Sequence, residues 1–153
     1  LAQTDDLVFV TAVYLVIDVA RGELRLANAG HPCPLLLRHE GELEAVMVGA
    51  DGSGPALGMI PDENYAAVTV PLSPGDRVIV FTDGLYEAAD ASGEEFGTAR
   101  LRAALTARAG LDTPALLDGL LTEVREFGAS ASGQGFADDL CLVAVDFAPQ
   151  NAD

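Results

Sequence analysis

Residues 78–84 read Val-Ile-Val-Phe-Thr-Asp-Gly, an apolar and mostly β-branched run that passes straight into an Asp-Gly pair. Such a run is the signature of a buried strand. A carboxylate at its end projects from a rigid element, and Gly84 is expected to let the backbone turn sharply beside it. The chain therefore has to build a sheet whose strand 77–82 delivers Asp83 to one end. Oxygen donors at such a place suit Mg²⁺ or Mn²⁺. An ordinary Asp-Gly turn between strand and loop satisfies the same seven residues. An aspartyl nucleophile would want a second Asp two residues earlier, where Phe81 stands.

The rest of the chain supplies partners for that strand. Residues 8–19 (VFVTAVYLVIDV) are almost continuously apolar, which predicts a central strand covered on both faces. A turn at Ala20-Arg21-Gly22 and the alternating residues 23–29 predict its hairpin partner. Residues 35–38 and 43–46 predict a second hairpin around Glu40-Gly41. Residues 48–58 are broken by Gly and Pro and read as loop. Strands are expected at 65–70 and 77–82, joined by the Ser73-Pro74-Gly75-Asp76 turn. Two helices follow. The first is expected to be capped by Thr98 and closed by Gly110. The second is expected to be capped by Thr113, with Pro114 at its first position and an apolar face of Leu116, Leu117, Leu120, Leu121, Val124 and Phe127, ending at Gly128. Residues 129–135 read as loop and 140–147 as a returning strand. Strands first and helices after them, without strand–helix alternation, predict an α+β fold of mainly antiparallel sheets.

Charge narrows the functions such a fold could serve. With 24 acidic and 8 basic side chains the net charge is −16, which repels nucleic acid and anionic membrane surfaces. No apolar run approaches the roughly 18 residues that span a bilayer. The first six residues, Leu1 to Asp6, are too polar for a signal peptide, and the missing initiator Met suggests a piece of something longer. Cys33 and Cys141 lie far apart and outside any zinc spacing, so free, packed thiols and a cytoplasmic location are expected.

Two further places could carry chemistry. Asp138-Asp139 opens the last strand, where successive side chains point to opposite faces. One carboxylate could face a metal, or the pair could be a polar strand opening. Asn28-Ala29-Gly30-His31-Pro32 bends the chain at a strand end, placing His31 either at a cleft or as a structural donor to a carbonyl. His39 falls in a hairpin turn and is expected to face solvent. No phosphate-binding glycine loop, zincin helix or nucleophile elbow is present.

Eight segments taken in order resemble the metal-dependent (type 2C-like, PPM) protein phosphatases, in the bacterial branch of SpoIIE-like and RsbU-like regulators. They are F-V-T-A from Phe9, G-E-L from Gly22, N-A-G-H-P from Asn28, P-x-L-G from Pro55, P-G-D from Pro74, T-D-G-L-x-E-A from Thr82, G-E-x-F-G from Gly93 and D-D-L-x-L-V from Asp138. Together they cover nearly the whole chain. The resemblance implies an α-β-β-α sandwich of mainly antiparallel sheets flanked by helices. It also implies a pair of Mn²⁺ or Mg²⁺ ions that activates water to hydrolyse phosphoserine or phosphothreonine. Asp83 and Asp138 carry over as metal ligands, with Asp139 as neighbour or outer ligand. His31 falls near an accessory metal of the family's eukaryotic members.

The family's first two metal motifs, G-D-x-x-D and D-x-S-G-H-G, belong upstream of Phe9 and are not in this sequence. Residues 1–148 then represent the C-terminal part of one phosphatase domain, with 149–153 a tail and the N-terminal part of the fold missing from this chain. The resemblance further implies a phosphorylated anti-sigma-factor antagonist as substrate and a sensor or receiver domain upstream. Open sheet edges would invite a homodimer. A catalytically inactive PPM-like binding module is the alternative. Neither nucleic acid nor membrane insertion is expected.

Overall fold

The computed structural model describes residues 9–49, 52–129 and 139–148. The chain forms two compact units, one from Leu1–Cys33 and Val46–Pro71, the other from Pro34–Ala45 and Leu72–Asp153.

The first unit is a three-stranded antiparallel sheet in the order β1-β2-β5, with β1 at Ala12–Asp18, β2 at Glu23–Ala29 and β5 at Ala67–Pro71. Leu24 and Leu26, on one face of β2, are buried. Among the described residues, the strand formed from the long apolar run is not a central one. β1 occupies an edge of this sheet, and Tyr14 and Val16 on one of its faces are exposed, Tyr14 to 72%. A continuous apolar pattern fixes strand character but not which segment covers each face.

The second unit holds a four-stranded antiparallel sheet in the order β4-β3-β6-β7. Its strands are β3 (Leu35–Leu37), β4 (Leu43–Ala45), β6 (Arg77–Phe81) and β7 (Leu142–Asp146). The turn at 73–76 forms as expected, with the Asp76 amide donating to the Ser73 carbonyl at 3.0 Å. It does not close a hairpin, because β5 pairs with β2 while β6 pairs with β3 and β7.

Helices α1 (Gly97–Ala107) and α2 (Thr113–Ala129) cover this second sheet. Leu116, Leu120 and Val124 recur every four residues on α2 and are fully buried. They meet Leu101, Ala104 and Leu105 of α1, Ile79 and Phe81 of β6, and Leu85 and Phe96 from the connecting loops. The caps differ from expectation. At α1 the N-cap position is Phe96, with no side-chain cap, and the C-cap position is Arg108, before Gly110. At α2 the Asp112 carboxylate, not Thr113, accepts the Ala115 amide at 2.8 Å. The Thr113 hydroxyl instead donates to the Asp146 carboxylate at the end of β7, and the helix runs past Gly128. Among the described residues no helix is long and apolar enough to cross a membrane.

Candidate functional site

Strand β6 is buried along almost its whole length, and its last residue hands the chain to Thr82 in extended conformation. Asp83, Gly84 and Leu85 then form a single 3-10 turn rather than a left-handed bend. Leu85 donates its amide to the Thr82 carbonyl at 3.2 Å, and Tyr86 and Glu87 donate to the Asp83 carbonyl at 2.9 and 3.0 Å. Gly84 is buried and its φ is not positive, so it does not serve the turn in the way expected of it. Asp83 stands exposed at the start of this turn, and its Oδ1 accepts the Gly84 amide at 3.1 Å. A carboxylate held by the next residue's amide keeps one oxygen turned to its own backbone and the other available to solvent.

The approach to β7 runs beside this turn. The Thr82 amide donates to the Cys141 carbonyl at 3.0 Å, and the Cys141 amide donates to the Thr82 hydroxyl at 2.9 Å. The same hydroxyl donates to the Asp139 carbonyl at 3.2 Å. Asp83 and Asp139, both exposed, are therefore brought to the same end of the four-stranded sheet. Asp138 lies outside the described residues. Thr82 carries no role in the sequence reading. The sequence marks it only as the end of the expected strand 77–82 and the first residue of T-D-G-L-x-E-A, with no role for its hydroxyl.

His31 belongs to the other unit. Asn28, almost fully buried, clamps its backbone on both sides: the Asn28 side-chain amide donates to the His31 carbonyl at 2.8 Å, and the His31 amide donates to Asn28 Oδ1 at 2.9 Å. Gly30 makes the bend with φ +68°, and a Cβ there would come within 3.0 Å of Ala56. The His31 ring is half-buried, with Nδ1 at 3.4 Å from the Thr11 hydroxyl. The bend is thus locally over-determined, and the imidazole is not engaged by a backbone carbonyl among the bonds it makes. His39 is exposed as expected. Cys33 is half-buried and donates to the Gly52 carbonyl at 3.3 Å, whereas Cys141 is exposed rather than packed.

The donor chemistry at Asp83 and Asp139 suits a hard divalent cation, since both offer carboxylate oxygen at the end of a rigid sheet. Donor number is another matter. Among the described residues no three His, Cys, Asp or Glu side chains gather where they could hold a metal ion. Asp83 and Asp139 are two carboxylate donors of the kind such a site uses.

The sequence profile of the Stage II sporulation protein E (SpoIIE) family matches residues 1–148. The chain belongs to the SpoIIE family. It is 32% identical to Protein IcfG of Synechocystis over 141 residues, which are 92% of this chain and 21% of IcfG. It is 29% identical to the phosphoserine phosphatase RsbP of Bacillus subtilis over 79 residues, 52% of this chain and 19% of RsbP. Among solved structures, the SiaA-PP2C domain of Pseudomonas aeruginosa superposes with a TM-score of 0.75 at 23% identity, over 90% of this chain and 51% of that one. The SpoIIE phosphatase domain of Bacillus subtilis, presoaked with Mn, superposes with a TM-score of 0.65 at 22% identity, over 94% of this chain and 58% of that one. This SpoIIE-family chain has the α+β fold of PP2C phosphatase domains. It spans about a fifth of the length of the curated relatives and about half of the solved chains.

Proposed function

We propose that residues 1–148 form the C-terminal part of a PP2C-type phosphatase domain, followed by a tail at 149–153. The domain removes phosphate from phosphoserine or phosphothreonine on a regulatory protein of the anti-sigma-factor-antagonist type. The observation that carries this reading is the junction at Thr82, which holds the Asp83 turn against the acidic start of β7 in a chain of the SpoIIE family. Asp83, Asp138 and Asp139 are the proposed ligands for Mn²⁺ or Mg²⁺. A bound metal pair supplies hydroxide near neutral pH and neutralises charge on the phosphoryl group. What supports this reading in the chain's own residues is that Asp83 follows the end of β6 and that the Thr82 hydroxyl donates to the Asp139 carbonyl beside it, while the net charge of −16 leaves a cation as the natural counter-charge.

The remaining ligands are proposed to lie upstream, so the chain alone holds part of the site and is weakly active at most. A sensor or receiver domain upstream, a cytoplasmic location and a homodimer through open sheet edges belong to the same proposal. Its test is Mn²⁺-dependent phosphate release from a phosphoserine protein by the complete gene product. Asp83→Asn is expected to lower turnover by at least about a hundredfold. Unchanged turnover in that variant would remove Asp83 from the site.

The second reading, a catalytically inactive PPM-like binding module, differs in the metal motifs proposed to lie upstream. A complete gene product that binds the phosphorylated partner and releases no phosphate at any Mn²⁺ concentration would select it.

A further inference from the structure

In a regular antiparallel ladder, every second pair of facing residues exchanges both of its backbone hydrogen bonds, and the Thr82 amide bond to the Cys141 carbonyl marks Thr82 and Cys141 as one of those pairs. This pair makes only one of the two bonds. Cys141 accepts from the Thr82 amide at 3.0 Å, yet the Thr82 carbonyl is already taken by Leu85, whose amide starts the turn that carries Asp83. The Thr82 hydroxyl accepts from the Cys141 amide in its place, at 2.9 Å, and donates to the Asp139 carbonyl at 3.2 Å. One side chain thus lets β6 peel away into the Asp83 turn without releasing the approach to β7. Both hydrogen-bonding capacities of the hydroxyl are used, and neither is spent on capping the turn.

We propose that Thr82 is a positioning residue: its hydroxyl holds the Asp83 turn and the Asp139 backbone in one rigid unit, and cation binding at Asp83 depends on that link. The proposal rests on the metal reading of Asp83 given above. Serine keeps the hydroxyl and loses the methyl. Valine keeps the shape and loses the hydroxyl, leaving the Cys141 amide and the Asp139 carbonyl without this partner.

The experiment uses the 153-residue chain and Mn²⁺ alone, followed by paramagnetic broadening of the Gly84 and Leu85 amide resonances and by hydrogen exchange at the Cys141 amide. In wild type the two resonances broaden on titration and the Cys141 amide is protected. Thr82→Ser is expected within about twofold of wild type in Mn²⁺ affinity, and Thr82→Val about tenfold weaker, with faster exchange at Cys141. Wild-type affinity in Thr82→Val overturns the proposal while leaving the metal reading intact. So does an equal loss in Thr82→Ser, which also decides the matter should Thr82→Val fail to fold. No broadening in wild type overturns the metal reading and this proposal with it.

Discussion

Asp76 is the one fully buried carboxylate among the described residues, and each of its oxygens is spoken for. Oδ2 accepts from Arg38 Nη1 at 2.8 Å and from the Ser73 amide at 2.9 Å, while Oδ1 accepts from the His39 amide at 3.1 Å. The residue ties the β3–β4 hairpin end to the turn that leads into β6, and thereby fixes the base of the strand whose far end carries Asp83. Burial alone would raise its pKa. The Ser73 amide, the Arg38 guanidinium and the His39 amide outweigh that and hold the carboxyl below its ordinary value. Because the folded state favours the ionised form, the stabilisation is present above about pH 4 and is lost as pH falls through the folded-state value. Asp76→Asn should cost about 3 kcal/mol at neutral pH and much less in acid, so its urea-unfolding curve should approach wild type as pH drops. A cost independent of pH would contradict this assignment.

At the scale of elements, α2 is the part of the fold that the sequence made plain. Leu116, Leu120 and Val124 repeat at helical spacing, and all three are sealed against α1 and the sheet. Leu120→Ala should destabilise the chain by about 3 kcal/mol, read as a lowered denaturant midpoint with unchanged slope. The connection into α1 was legible as a motif without a reason. In G-E-x-F-G, Phe96 is buried with its ring edge-on to Phe127 at 5.5 Å, and Gly97 starts the helix at φ +77°. A Cβ at Gly97 would meet no atom within 4 Å, so Gly97→Ala should cost only its backbone strain, about 1 kcal/mol by thermal unfolding. Caps were less legible, because Asp112 and Thr113 are neighbours with equal capping chemistry. Only Asp146, distant in sequence, decides that Thr113 is used elsewhere. Pairing was hidden for the same reason. Nothing in residues 71–77 states that the chain leaves one sheet at Pro71 and enters another at Arg77. Thr82 shows how far local reading reaches: the turn was visible in Thr-Asp-Gly, but the hydroxyl's partners sit 57 and 59 residues away.

At the scale of the whole molecule, the chain belongs to the SpoIIE family and superposes on about half the length of the solved SiaA-PP2C chain. On the proposed metal reading, this acidic chain should bind a divalent metal weakly through Asp83 and should gain full affinity only with the proposed upstream ligands. The apolar edge strand β1, exposed at Tyr14 and Val16, is the place where the proposed homodimer would form, and light scattering at several concentrations should show mass rising with concentration. The central claim is that Asp83 anchors one part of a shared metal site. Isothermal titration of the chain with Mn²⁺ tests it most directly. A single weak binding event that Asp83→Asn abolishes is the predicted result, whereas tight binding at two sites in wild type, or binding unchanged in Asp83→Asn, would contradict it.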